Sequence, residues 1–165
     1  MKSITAKKVM TSPVVSVGAR TSLRQLVKVL DRTRYGGFPV IDKEKRVVGM
    51  VSEKDVLSYT RCIIGGPIRN PRKLLDDKDE SVQVSGQRGL DVLEFVASAT
   101  VATLMSKDVV LAEETASVLD VIETMNRRKI SRVPVVNADG RLTGIVTKTD
   151  LLKMVEKWMK SNRKT

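Results

Sequence analysis

Two hydrophobic periods alternate along this chain, and the alternation occurs twice. Leu23, Leu26, Val27 and Leu30 recur at helical spacing, and Val118, Val121, Ile122 and Met125 recur in the same way later on. Arg24, Lys28 and Arg32 occupy the opposite face of the first predicted helix at i, i+4 spacing. Both helices open on a capping-box pattern, Ser22-Leu-Arg-Gln25 and Ser117-Val-Leu-Asp120. A short apolar run precedes each, Val14-Val-Ser-Val17 and Val109-Val-Leu-Ala112, and reads as a strand. After each helix comes a buried-strand run, Phe38-Pro-Val-Ile41 or Val133-Pro-Val-Val136. The turns Asp42–Lys45 and Asn137–Gly140 follow, the second carrying an Asp-Gly signal. The chain returns as the strands Arg46–Val51 and Arg141–Val146, and a further helix starts after Ser52 and after Thr147. The last one is expected to run from about Lys148 to Lys160, with Leu151, Leu152, Val155, Trp158 and Met159 on one side.

The two halves are in register. Gly49-Met-Val-Ser52-Glu-Lys-Asp55 and Gly144-Ile-Val-Thr147-Lys-Thr-Asp150 lie 95 residues apart. So do Met10 and Met105, Val14-Val15 and Val109-Val110, Ser22 and Ser117, Pro39-Val40 and Pro134-Val135, and Arg46 and Arg141. An ungapped offset held this far marks a tandem repeat, each copy a strand–helix–strand–strand–helix unit. One copy has more sheet and helix face to cover than it can manage alone, so two copies packed face to face are expected. The division is residues 5–60 for repeat 1, 61–99 for an insertion, 100–158 for repeat 2 and 159–165 for a basic tail. In the insertion, Gly65-Gly-Pro67 and Asn70-Pro71 break structure, Asp76–Glu80 reads as solvated loop and Leu90–Ala97 as a short helix.

Length and composition narrow the classes. A chain of 165 residues with 41% hydrophobic content is globular and long enough to bury a core. No apolar run approaches the ~20 residues of a membrane helix, and the start lacks a signal-peptide core. The single cysteine, Cys62, excludes an internal disulfide framework and suits a reducing cytoplasm, where an inert thiol is expected. Histidine is absent, which removes the commonest general base and metal ligand. The seven methionines read as core filler. The net charge of +11 concentrates on the repeats: residues 1–60 carry 12 basic and 5 acidic groups, and residues 61–100 carry 6 of each. Such an excess is either an ordinary soluble surface or a sign of an anionic partner, whether nucleotide, nucleic acid or acidic protein.

The ordered set of motifs resembles the cystathionine β-synthase (CBS) domain family. The carriers are a Met-Thr/Ser lead-in, an apolar-Pro-Val-Val strand and Gly-apolar-apolar-Ser/Thr-x-x-Asp, present from about Thr5 to Tyr59 and again from Thr100 to Glu156. The resemblance implies an α/β (α+β) fold of tandem repeats, each a small mixed sheet with two helices, related by a pseudo-two-fold axis in a Bateman module. It implies adenosine-containing ligands (AMP, ADP, ATP or S-adenosylmethionine) in two clefts between the repeats, a homodimer, and a regulatory role toward an effector the sequence does not name. It implies no required cofactor, catalytic residue or metal.

Carried over residue by residue, one cleft is lined by Thr147, Thr149 and Asp150 with Thr11, Pro13, Val15 and Tyr35-Gly36-Gly37. The other is lined by Ser52, Lys54 and Asp55 with Ser106, Asp108, Val110 and Ile130-Ser131-Arg132. The chemistry fits a ribose, whose adjacent hydroxyls can both donate to an ionised carboxylate one turn into a helix. Arg132 matches a position that holds a phosphate-binding base in some family members, and its counterpart is Gly37. The Arg132 cleft is therefore expected to prefer a phosphorylated ligand, with Lys54 and Lys148 adding charge. The Gly37 cleft is expected to be weaker, empty or suited to an uncharged adenosine derivative. Each motif also has a structural reading. Ser52-x-x-Asp55 and Thr147-x-x-Asp150 serve equally as helix caps, Gly36-Gly37 as a helix stop, and Arg132 as a turn residue. Nucleic-acid binding is the alternative function, carried by the charge but opposed by the scarcity of aromatics. No nucleophile–base pair, phosphate-binding glycine loop or metal cluster points to an enzyme.

Overall fold

The computed structural model describes residues 4–64 and 98–162. The expectations for Asp76–Glu80 and Leu90–Ala97 lie outside the described residues, as do those for the last residues of the tail and for the Cys62 side chain.

In chain order the elements are α1 (Ala6–Val9), β1 (Val17–Gly18), α2 (Leu23–Thr33), β2 (Gly37–Ile41), β3 (Val47–Ser52) and α3 (Glu53–Ile64). The second series is α4 (Val101–Leu104), β4 (Ala112–Glu113), α5 (Val118–Arg127), β5 (Arg132–Val136), β6 (Leu142–Thr147) and α6 (Lys148–Asn162). Two three-stranded sheets result, ordered β1-β2-β3 and β4-β5-β6. In each, the short leading strand runs parallel to the proline-containing strand: Val17 pairs with Val40, and Ala112 with Val135. In the second sheet β5 runs antiparallel to β6, with Arg132 opposite Thr147 and a bulge between Val135 and Val136.

The compact units are not the two sequential repeats. One comprises the chain up to Val15, Lys43–Val47 and the chain from Val109; the other comprises Ser16–Asp42 and the described part of Val48–Asp108. Each repeat's lead-in has thus joined the body of the other repeat. In the first unit, Thr5 bridges Ser117, the Ala6 N–H donates to the Ala116 carbonyl at 2.8 Å, and Thr11 and Ile145 exchange backbone hydrogen bonds of 2.9 and 3.1 Å. In the second, Thr100 bridges Ser22, the Ala102 N–H donates to Ala19 at 2.9 Å, and Ser106 and Met50 exchange two bonds of 2.9 Å. Each lead-in therefore extends the hydrogen bonding of a strand, β6 or β3, that would otherwise leave backbone groups unpaired.

The glycines of the repeated motif permit this approach. A Cβ on Gly144 would meet Met10 Cγ at 2.7 Å and Met10 Cβ at 3.1 Å. On Gly49 it would meet Met105 Sδ at 2.6 Å and the Ser106 carbonyl oxygen at 3.1 Å. Met10 and Met105 are more than filler, since each packs against the glycine of β6 or β3. The cores follow the units. Val17, Leu23, Leu26, Phe38, Val40, Val51 and Tyr59 pack with Val101 and Leu104 of α4. Val121, Met125, Val133, Val135 and Val146 pack with Ala6 of α1.

Three local details depart from the sequence reading. Ser22 and Gln25 form the reciprocal capping box, but Ser117 accepts from Leu119 N–H at 3.2 Å instead, and Asp120 stays out of the cap. The first helix is stopped by Arg34 in the left-handed region (φ 56°), two residues before Gly36, and Lys129 (φ 52°) takes the matching position after α5. Leu151 packs against the core, whereas Leu152, Val155, Trp158 and Met159 remain exposed.

A salt bridge ties α1 to the turn after β4, with Lys7 Nζ 2.7 Å from Glu114 Oε2. Hydrogen bonding from Lys7, and then from Thr143, holds the Glu114 carboxyl below its ordinary value of 4.5. A lowered carboxylate stabilises the fold above its unfolded pKa and loses that contribution as pH falls through the folded pKa. Lys7 is exposed and Glu114 partly so, and solvent screening keeps the effect small.

The Met10–Gly144 contact is tested by a double-mutant cycle. Gly144→Val should destabilise the protein by about 1–3 kcal/mol in urea unfolding. Combining it with Met10→Ala should cost less than the sum of the two single changes; additive costs would show that the residues do not touch.

Candidate functional site

The carboxylates of the repeated motif begin α3 and α6. Asp150 is the buried charged residue among those described, 8% exposed. Its Oδ2 accepts from the Thr147 N–H at 2.8 Å and from Thr147 Oγ1 at 2.5 Å, and the Asp150 N–H donates back to Thr147 Oγ1 at 3.3 Å. Its other oxygen, Oδ1, accepts from Thr11 Oγ1 at 2.8 Å. That hydroxyl arrives from the repeat 1 lead-in, held by the backbone pairing of Thr11 with Ile145. Asp55 repeats the first half of this arrangement. Its Oδ2 accepts from the Ser52 N–H at 2.7 Å and from Ser52 Oγ at 2.5 Å. Ser106, which stands where Thr11 stands in the other copy, keeps the backbone bridge to Met50, but its hydroxyl makes no matching bond to Asp55. The helix-capping reading therefore holds at both carboxylates, and Asp150 carries one donor more.

The expected residues fall into two groups, one in each unit. Thr11, Pro13, Val15, Val110, Ile130, Ser131, Arg132, Thr147, Thr149 and Asp150 belong to the first, and Tyr35, Gly36, Gly37, Ser52, Lys54, Asp55, Ser106 and Asp108 to the second. The Ser131 carbonyl accepts from the Lys148 N–H at 3.1 Å and Arg132 pairs in register with Thr147, so Ser131 and Arg132 border the start of α6. The Gly36 carbonyl accepts from the Glu53 N–H at 3.3 Å, so Gly36 borders the start of α3. The Pro-strand triplets thus flank the helix of their own repeat, because they are one antiparallel strand pair away from it. The lead-ins, by contrast, come from the other repeat, as expected. Around Thr11, a cis peptide joins Ser12 to Pro13, and Ser12 Oγ donates to the Thr143 carbonyl at 2.8 Å. Val110 stands apart from these polar groups, in a cavity of about 190 Å³ with Ala112, Asp120, Val121, Thr124 and Val133. Sequence reasoning passed over Met10 and Met105, whose only signal was their equal spacing from the motif glycines.

The CBS domain profile matches residues 6–61 and 101–157, more than half of the chain. The chain belongs to the CBS domain family. Its relatives include inosine-5′-monophosphate dehydrogenase of Methanocaldococcus jannaschii, 26% identical over 148 residues, covering 90% of this chain and 23% of that enzyme. The chloroplastic CBS domain-containing protein CBSX1 of Arabidopsis thaliana is 28% identical over 137 residues, covering 81% of this chain and 55% of that protein. The chain therefore spans about half or less of the length of these two relatives. Among solved structures, CBSX2 in complex with AMP superposes with a TM-score of 0.69 at 22% identity, over 93% of this chain and 97% of the other. The CBS domain pair of protein MJ0100, in complex with 5′-methylthioadenosine and S-adenosyl-L-methionine, gives 0.62 at 21% identity, over 94% and 98%. These likenesses establish the fold, two CBS domains of mixed α/β build. No helix among the described residues is long and apolar enough to cross a membrane.

The extra donor on Asp150 has an energetic signature without any ligand. Asp150→Ala leaves the Thr147 N–H and the Thr11 hydroxyl without their acceptor and should cost about 1–3 kcal/mol. Asp55→Ala removes a part-exposed cap and should cost about 1 kcal/mol. Urea unfolding of the two variants checks the order; equal losses would show that the Thr11 bond contributes nothing.

Proposed function

We propose that this chain is a regulatory CBS pair that binds adenosine-containing ligands, one site per compact unit, and is not itself an enzyme. The observation that carries the reading is the repeated carboxylate at a helix start, Asp55 or Asp150, with a lead-in hydroxyl residue from the other repeat beside the same strand end. A ribose diol would donate to the carboxylate, and Thr149 or Lys54 in the same helical turn would contact the sugar or phosphate. Pro13, Val15 and the lead-in backbone would wall the adenine on one side, and Tyr35, Gly36 and Gly37 would play that part beside Asp55. The bound ligands of CBSX2 and MJ0100 support the same ligand class.

The two sites differ in charge. Arg132 stands opposite Thr147, so the site of Asp150 combines a carboxylate for the sugar with a guanidinium and Lys148 for phosphate. Gly37 takes that place beside Asp55. AMP, ADP or ATP would favour the Asp150 site, and an uncharged adenosine derivative or S-adenosylmethionine the Asp55 site. A homodimer accords with the apolar side chains exposed at equivalent places, Leu57 on α3 and Leu152 on α6. The effector such a module would regulate, and a cytoplasmic setting, belong to the same proposal.

Calorimetric titration with AMP and with 5′-methylthioadenosine tests the reading. AMP at 100 times its dissociation constant should add about 2.7 kcal/mol to stability. Arg132→Gln should weaken AMP about tenfold or more and leave 5′-methylthioadenosine unchanged. If Asp55→Asn with Asp150→Asn binds both ligands as tightly as the parent, the ribose role is wrong.

A further inference from the structure

The exposed face of α2 is not accounted for by the ligand sites. Arg24, Lys28 and Arg32 are all exposed, and none of the three enters an ion pair among the described residues. At 1.5 Å rise per residue they form a row about 12 Å long, with cations about 6 Å apart. Arg20, also exposed, precedes them by one more step of four, in the turn before the helix. Asp31 is the one acid that α2 exposes beside them.

The duplication supplies an internal control. The positions of α5 that match Arg24, Lys28 and Arg32 hold Leu119, Glu123 and Arg127. The repeat fold therefore does not require a basic row here, and only one copy carries it. At the C-terminal end of the row the chain turns through Arg34 in the left-handed region, and Tyr35 follows, 54% exposed. The buried Phe38 ring lies 6.3 Å from the Tyr35 ring at a tilt of 59°, which restrains the exposed ring. A line of cations at near-phosphate spacing, ending in a restrained open aromatic ring, matches the two recurring parts of a single-strand binding surface.

We propose that the α2 face, Arg24–Lys28–Arg32 with Tyr35, binds the backbone and one base of a single-stranded nucleic acid. The cations follow successive phosphates and Tyr35 stacks on a base. A flat basic row without a groove-reading element does not discriminate sequence, so the binding is sequence-tolerant. The cationic row lies outside the proposed adenosine sites, and Tyr35 is the one residue that this surface shares with the proposed site beside Asp55.

Fluorescence anisotropy with a labelled oligouridylate at low salt, without added nucleotide, tests it on the full chain. Changing Arg24, Lys28 and Arg32 together to Gln should weaken binding at least about tenfold and flatten the log–log salt slope by about 2. A control triple, Lys153, Lys157 and Lys160 to Gln on α6, removes the same charge and should change binding far less. Tyr35→Ala should weaken binding about 5- to 150-fold, and Tyr35→Phe should restore it. Melting curves confirm that each variant is folded. Equal losses in the two triples would reduce the effect to net charge and overturn the proposal. So would a duplex that competes as well as the single strand, binding to anionic vesicles with none to the oligonucleotide, or no binding at low salt.

Discussion

The structure depends on two places where a strand has no side chain. Gly49 and Gly144 let a methionine from the opposite repeat lie directly against β3 or β6, at distances that any Cβ would forbid. The contact is more than packing. With Met10 and Met105 seated there, the next residues, Thr11 and Ser106, can pair with Ile145 and Met50 and extend the sheet's hydrogen bonding. A side chain on either glycine would displace the methionine and press on the lead-in behind it. Each repeat body is therefore finished by a segment of its twin, which explains why the compact units cut across the sequence repeats.

The same constraint builds the candidate sites. A carboxylate that caps its own helix is a local affair, and Asp55 and Asp150 both do this. What sets the two caps apart is the neighbour that arrives with the lead-in. Thr11 reaches Asp150 and bonds to it, whereas Ser106 keeps its place on the strand without that bond. The two copies have thus diverged at the residue that touches the carboxylate. They have also diverged at the strand entry, where Arg132 stands in one and Gly37 in the other. Duplication has kept the scaffold and varied the chemistry, on the α2 and α5 faces as well as in the sites.

Much of this was legible because the repeat states it twice. A single Ser-x-x-Asp says only that a helix begins; two in register, each following a glycine strand, locate the strand ends and both carboxylates. The lead-ins were assigned to the opposite helix starts, and Thr11 of the first one bonds to Asp150. The Pro-strand triplets were assigned across the repeats, yet Ser131 and Gly36 bond to residues at the start of their own repeat's helix, Lys148 and Glu53. Strand pairing decides that placement, and a pattern of apolar residues carries no register. The helix stop was read onto Gly36-Gly37 because glycine is the usual left-handed residue, but Arg34 takes that conformation. The role of Met10 and Met105 was hidden because a methionine's contact partner is invisible in composition.

Native-state hydrogen exchange on the full chain probes the lead-in pairing most directly. The amides of Thr11 and Ile145 should exchange as slowly as those of Val135 and Val146 in the same unit, and those of Met50 and Ser106 as slowly as those of Val40 and Val51, each only with the opening of its whole unit. Rapid exchange at Thr11 while Val135 and Val146 stay protected, and at Ser106 while Val40 and Val51 do, would contradict it, leaving each repeat body finished without its twin.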